Sequence, residues 1–253
     1  MKFCHFHIVL NICLVSALLS PGSAFLAQEN VTTLGVQLKP MIPSKFFGNG
    51  TKSLEEENYT VDLTPRMGLN FGMVVRRGFT KTWSFETGIC MVQRNFSLDF
   101  NHPELKEPKK LNFRYVCYEI PLQGIVFVKL GDQLYMNASG GFSLDMYPSN
   151  VTSSDFEKID TLNFDFSQKT WRNGWLQFAL LANYGFEWRS KESGYFYLGI
   201  SYHRPFKEIG LTQMVVERNT DPTRMSFLLS GNYLTADFRY FFHEKPERKK
   251  PNS

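Results

Sequence analysis

Three histidines follow the first thirty residues: His102, His203 and His243. His203 lies two residues from Ser201, and His102 sits in a polar stretch. A lipid-directed hydrolase would need one of them beside a serine. No G-x-S-x-G and no metal-spaced histidine pair occurs in that part of the chain, so no catalytic, metal or cofactor-binding residue is assigned. The remaining reactive groups are charges on the polar side of alternating runs: Lys39, Arg66, Glu86, Glu119, Glu187, Asp237 and Arg239. Asn70, Gln123, Asn137, Gln177 and Asn183 share that side. One reading is a proton path or a ligand site. The preferred reading is a narrow interior filled by paired charges, because an unpaired buried charge is too costly and both signs are present. Cys90 and Cys117 also carry inward parity. If Arg94 pairs with Phe113, antiparallel register sets the two cysteines opposite each other, as a disulfide or as two free thiols.

The elements that hold these groups follow from a period of two. In the run Tyr233 to Phe242, Leu234, Ala236, Phe238, Tyr240 and Phe242 alternate with Thr235, Asp237 and Arg239. The same alternation runs over Val31 to Met41, Asp62 to Arg76, Thr82 to Arg94, Phe113 to Lys129, Gln133 to Met146, Gly174 to Arg189 and Tyr195 to His203. The last strand is predicted from about Ser226 to Phe242, with a bulge where its phase slips at Gly231-Asn232. A second bulge is expected at Pro121, which cannot donate to a ladder. The stretches Pro148 to Arg172 and Pro205 to about Thr223 read as irregular. Connections alternate long and short along the chain, and aromatic residues mark both ends of the strands.

No stretch past residue 30 approaches the roughly 20 apolar residues of a membrane helix. A strand whose every second residue faces lipid escapes that test, and the mean hydropathy of -0.26 is compatible with it. Lys2, the apolar run Ile8 to Leu19 and the small residues Gly22 and Ala24 read as a secretory signal over 1–24, with cleavage after Ala24 or Ala27. Residues 25–242 then form one domain, and 243–253 a charged periplasmic tail. A net charge of +4 gives no indication of a nucleic-acid partner. The fold class is all-β: an eight-stranded, antiparallel, up-and-down transmembrane β-barrel in a bacterial outer membrane, with extracellular loops and periplasmic termini. A lipocalin-like barrel would invert the pattern by placing the apolar residues inside.

The segments Gly68-Leu69-Asn70-Phe71-Gly72, Ser84-Phe85-Glu86-Thr87-Gly88 and Tyr118-Glu119-Ile120-Pro121-Leu122, together with the signal-like start, resemble one family. It is the small outer-membrane β-barrel family of Bacteroidota, the PorT-like proteins. The resemblance implies eight strands and insertion by the barrel assembly machinery, while the apolar wall itself makes outer-membrane lipid or another barrel the natural lateral partner. One named relative is linked to a type IX protein secretion system, so the resemblance also points to a larger outer-membrane complex as partner. It supplies no functional residues to carry across. The expected role is non-enzymatic and structural, as an accessory subunit. The rivals are a lipid-directed hydrolase and a surface adhesin or ligand binder.

Overall fold

The computed structural model describes residues 31–43, 48–56, 59–103, 108–159, 162–190, 192–218 and 221–243. The signal segment and nearly all of the charged tail lie outside the described residues. Thirteen strands run in chain order: β1 (Thr32–Ile42), β2 (Lys52–Glu56), β3 (Tyr59–Gly78), β4 (Trp83–Asn101), β5 (Lys109–Lys129), β6 (Leu134–Met146), β7 (Val151–Ile159), β8 (Leu162–Arg172), β9 (Leu176–Arg189), β10 (Tyr195–Pro205), β11 (Gly210–Arg218), β12 (Asp221–Leu229) and β13 (Tyr233–Phe241). Eight of them pair in the order β1-β13-β10-β9-β6-β5-β4-β3, and β3 pairs back to β1, which closes a ring. Every pairing is antiparallel. β2 extends β3 as a ninth member, and β12-β11-β8-β7 form a separate four-stranded sheet.

The ring is built by the alternation. On β13, Leu234, Phe238 and Tyr240 point outward, with Phe242 exposed just past its end, while Tyr233, Thr235, Asp237 and Arg239 are buried inside. β9 turns Phe178, Leu180, Tyr184, Phe186 and Trp188 outward and buries Gln177, Asn183 and Glu187. Its fourteen residues, at about 3.3 Å each and a tilt of about 40°, rise roughly 35 Å, which exceeds the roughly 25 Å of an outer-membrane apolar band. Short links join the strands at one end, over residues 79–82, 130–133 and 190–194. Trp83 and Trp188 lie there. The long connections all emerge at the other end, where Trp175 is exposed.

β3, β4 and β5 overshoot that band. Outward residues on β5 change from Lys110, Asn112 and Arg114 to Val116, Tyr118 and Ile120, and on β4 from Asp99, Ser97 and Asn95 to Met91 and Ile89. Inside the overshoot the side chains become apolar: Val61, Leu63, Phe96, Leu98, Phe100, Leu111 and Phe113. The four-stranded sheet packs on them with Phe166, Met214, Val216, Met225, Phe227 and Leu229. Phe100 meets Phe166 edge-on at 5.5 Å, and Tyr115 stacks on Tyr147 at 5.4 Å. Lys52 Nζ donates to the Leu228 carbonyl at 2.7 Å, and Lys109 pairs with Asp155 at 3.1 Å. These contacts bring β2 beside β12 and β5 beside β7. The second sheet is a cap over the long-loop end.

Three sequence expectations change here. Residues 226–242 are not one strand, since Met225 to Leu229 belong to the cap and Gly231-Asn232 join it to β13. Of the two stretches expected to be irregular, the first contains the hairpin β7–β8, and the second contains β11 and the start of its partner β12. Pro121 makes no bulge. The β4–β5 ladder loses the pairs opposite Ile120 and Pro121, where a donor is missing, and resumes in unchanged register from Thr87–Leu122 to Cys90–Glu119.

Glycines let so narrow a ring curve. Gly141 faces the interior between Gln123 and Leu181, and a Cβ there would overlap the backbone of Leu122 and Gln123. Gly141→Val should cost about 3 kcal/mol or more by overpacking against backbone that cannot move aside. It is expected to abolish the compact, heat-modifiable band of the refolded protein on a gel.

Candidate functional site

Two charged layers fill the interior. Nearer the short turns, Arg76 Nη1 meets Glu187 Oε2 at 2.5 Å, and its Nε and Nη2 meet Glu86 Oε2 at 3.1 and 3.0 Å. Arg189 Nε reaches Glu187 Oε1 at 2.7 Å. Arg239 bridges Glu86 and Asp237, the latter at 2.8 Å, and Lys39 Nζ lies 3.2 Å from Asp237. Aromatic faces line this layer: Phe241 lies 3.8 Å below the Arg76 guanidinium, and Tyr135 lies 4.1 Å from that of Arg189.

The second layer lies nearer the cap. Glu119 accepts from Tyr233 at 2.7 and 2.9 Å and from Asn70 at 3.1 Å, and Arg94 Nη2 lies 3.3 Å away. His203 Nε2 is 2.9 Å from Asp145 and 3.4 Å from Glu119, and its ring stacks on Tyr233 at 4.5 Å. Ser143 donates to the other Asp145 oxygen at 2.5 Å. Above this layer the apolar core of the cap begins. Between the layers lies a cavity of about 20 Å³, room for roughly one water.

Lys39, Glu86, Glu119, Glu187, Asp237 and Arg239 all lie in these layers. Arg66 does not. The β3–β4 register slips between Arg66–Asn95 and Leu69–Gln93, so Met67 and Gly68 face one residue, and the bulge inverts parity. Arg66 is therefore exposed on the outer surface. Arg76, Arg94, Arg189, Asp145 and His203 take part instead. Extending the inward parity of each run by one or two positions reaches Arg76, Arg94, Asp145 and Arg189, so the signal for them was present in the sequence. With them, Lys39 and four arginines match five carboxylates in number.

Cys90 and Cys117 are free and buried. Cys90 stands opposite Glu119 and Cys117 opposite Val92, two residues out of the register a disulfide requires. Cys90 Sγ accepts from Gln37 at 2.6 Å, and Cys117 Sγ accepts from Arg94 at 2.7 Å. The serine and histidine weighed for hydrolysis are also apart in role: the Ser201 hydroxyl donates to Asp237, while His203 is fully buried against Asp145. His102 stacks on Phe100 at 6.2 Å. Glu119, Asp145 and His203 offer donor atoms within 4.8 Å of one another, a set that could hold a divalent cation. Arg94 already supplies positive charge to that set at 3.3 Å from Glu119.

A closed ring with an apolar outer belt and a polar, charge-paired interior defines an integral barrel of the outer-membrane type. The comparisons agree: the chain belongs to the outer membrane protein beta-barrel domain family, whose model matches residues 31–209. The protein is an outer-membrane β-barrel. Among solved structures it is similar to the outer membrane protein OprG from Pseudomonas aeruginosa, with a TM-score of 0.51 and 12% identity over 88% of this chain and 100% of that one. It also aligns to the outer membrane protease OmpT from Escherichia coli at a TM-score of 0.35 and 9% identity, over 88% of this chain and 100% of that one. No curated protein matches the sequence.

Proposed function

We propose that the chain is an eight-stranded, up-and-down transmembrane barrel that neither conducts nor catalyses, and that serves as a structural or accessory subunit of a larger outer-membrane complex, of the kind its PorT-like segments suggest. In this reading the capped end faces outside, both termini lie in the periplasm, and the barrel assembly machinery inserts the chain. The observation that carries it is the double closure of the interior: two layers of paired charge, and above them an apolar core sealed by the β12-β11-β8-β7 sheet. A barrel of this width has just enough room for side chains, and here they are paired to one another rather than arranged around a path. What remains for a partner is the cap. Its outer face mixes Lys169, Glu217, Arg224 and Ser226 with Leu211 and Leu228.

Reconstituted in a planar bilayer, the protein should show no discrete conductance steps. Purified in mild detergent from native outer membranes, it should bring down one protein in stoichiometric amount. Ion-conducting steps from the intact chain would overturn the closed-barrel reading. Recovery of a lone barrel together with an altered membrane-lipid profile in a deletion strain would favour a lipid-directed enzyme instead.

A further inference from the structure

The bulge that displaces Arg66 from the interior sets it in a row. Arg66 on β3 stands opposite Asn95 on β4, and Asn95 stands opposite Arg114 on β5. Strand spacing of about 4.8 Å puts the two arginine Cα atoms roughly 10 Å apart, with the asparagine between them. Asn95 is fixed on both sides: its Nδ2 donates to the Met67 carbonyl at 2.8 Å, and its Oδ1 accepts from Arg114 Nε at 3.1 Å. Both arginines are exposed and line a concavity of about 950 Å³ on the outer surface of the overshooting strands.

The level of this row decides its meaning. The next row toward the short turns is Leu69, Gln93 and Val116, followed by Phe71, Met91 and Tyr118, the start of the apolar wall. The next row toward the cap, Thr64, Ser97 and Asn112, is neutral. The row beyond it, Asp62, Asp99 and Lys110, carries two carboxylates and one ammonium, and Asp99 lines the far side of the same concavity, one of its oxygens held by the Ser97 hydroxyl at 2.7 Å. Cationic side chains thus sit at the boundary between the apolar band and the polar extension, which is where lipid headgroups lie. A guanidinium matches phosphate geometry with paired donors, and two of them across a concave wall can take one phosphate between them.

We propose that Arg66, Asn95 and Arg114 form a clamp for the phosphate of an outer-leaflet glycolipid, whose acyl chains lie on the apolar wall below. The assignment to the outer leaflet rests on the orientation proposed above; the clamp itself does not. The full chain, purified in detergent, is incubated with lipid A, with phosphatidylglycerol or with inorganic phosphate, and retained lipid is counted by native mass spectrometry. Wild type should retain lipid A, and the double variant Arg66→Gln/Arg114→Gln should lose at least tenfold of it while keeping the heat-modifiable gel shift of a folded barrel. Equal retention by wild type and variant would overturn the clamp. So would displacement of lipid A by inorganic phosphate at equal concentration, which would mean a site for a soluble anion. Retention of phosphatidylglycerol alone would overturn the outer-leaflet source. Surface biotinylation of intact cells reads the orientation separately, so that failure of the orientation and failure of the clamp give different results.

Discussion

Replacing Asp237 by asparagine will destabilise the barrel by about 3–5 kcal/mol, the cost of breaking a buried ion pair from one side. No part of Asp237 is exposed. One carboxylate oxygen takes Arg239 Nη2 at 2.8 Å, Asn183 Nδ2 at 2.8 Å, Lys39 Nζ at 3.2 Å and the Ser201 hydroxyl, and the other takes the Thr235 hydroxyl at 2.5 Å. An amide of the same shape removes the charge that Lys39 and Arg239 share. It also turns two hydrogens toward a set of donors. Arg239 keeps Glu86, but Lys39 loses the carboxylate it faces. The loss is read from the midpoint of urea unfolding in lipid vesicles, followed by tryptophan fluorescence. Adding Lys39→Met should recover part of it, because the double variant no longer strands a buried ammonium, and the coupling should be about 1.5 kcal/mol or more. A single-variant loss below about 1 kcal/mol would mean that the layer is wet and screened, and the closed interior would fall with it.

Alternation alone was enough to find the ring, because each spanning strand carries an outward apolar face longer than any other pattern in the chain. It found the interior charges for the same reason: Glu86, Glu119, Glu187 and Asp237 stand in uninterrupted runs. Where local geometry broke the period, the reading failed. The extra residue at Met67-Gly68 reverses parity on β3, and nothing in Arg66-Met67-Gly68 announces it before the partner strand is known. The cysteine register failed because β4 and β5 are joined by the long connection after Asn101, and only a tight turn fixes how two strands slide past each other. The cap was hidden for a different reason. Phe166-Gln168-Thr170 and Met225-Phe227-Leu229 alternate as well as any membrane strand does, but those runs are short, and their inward face meets a core rather than a lumen. In Ser226 to Phe242 this placed a cap strand and a ring strand end to end, with the same period and opposite surroundings.

That difference in surroundings makes the two sheets separable, and Phe166→Asp should separate them. Phe166 is fully buried at the point where the cap meets the ring, edge-on to Phe100. A carboxylate there loses the apolar contacts, and the cation beside it, Lys109 with its Nζ 6.0 Å over the ring, is already paired with Asp155, so the added charge is a change worth several kcal/mol. Ring strands are held by continuous ladders closed from β1 round to β3. The described links between cap and ring are fewer: the shared apolar core, Lys52 to the Leu228 carbonyl, Lys109 to Asp155, and side-chain hydrogen bonds from the ring to the entry of β11, Tyr115 to the Ile209 carbonyl at 3.4 Å and Gln177 to the Glu208 carbonyl at 3.4 Å. Strain at the interface should therefore be relieved by local opening of the cap rather than by loss of the ring. Limited proteolysis should cut within residues 148–172 and 206–232 at least tenfold faster than in wild type, while the membrane-embedded fragments keep their heat-modifiable migration. If the cap is the docking surface, the stoichiometric partner should be lost in the same preparation. Failure of the whole chain to insert would instead make cap and ring one cooperative unit, with the apolar core above the charges as necessary to the barrel as the ladders around it.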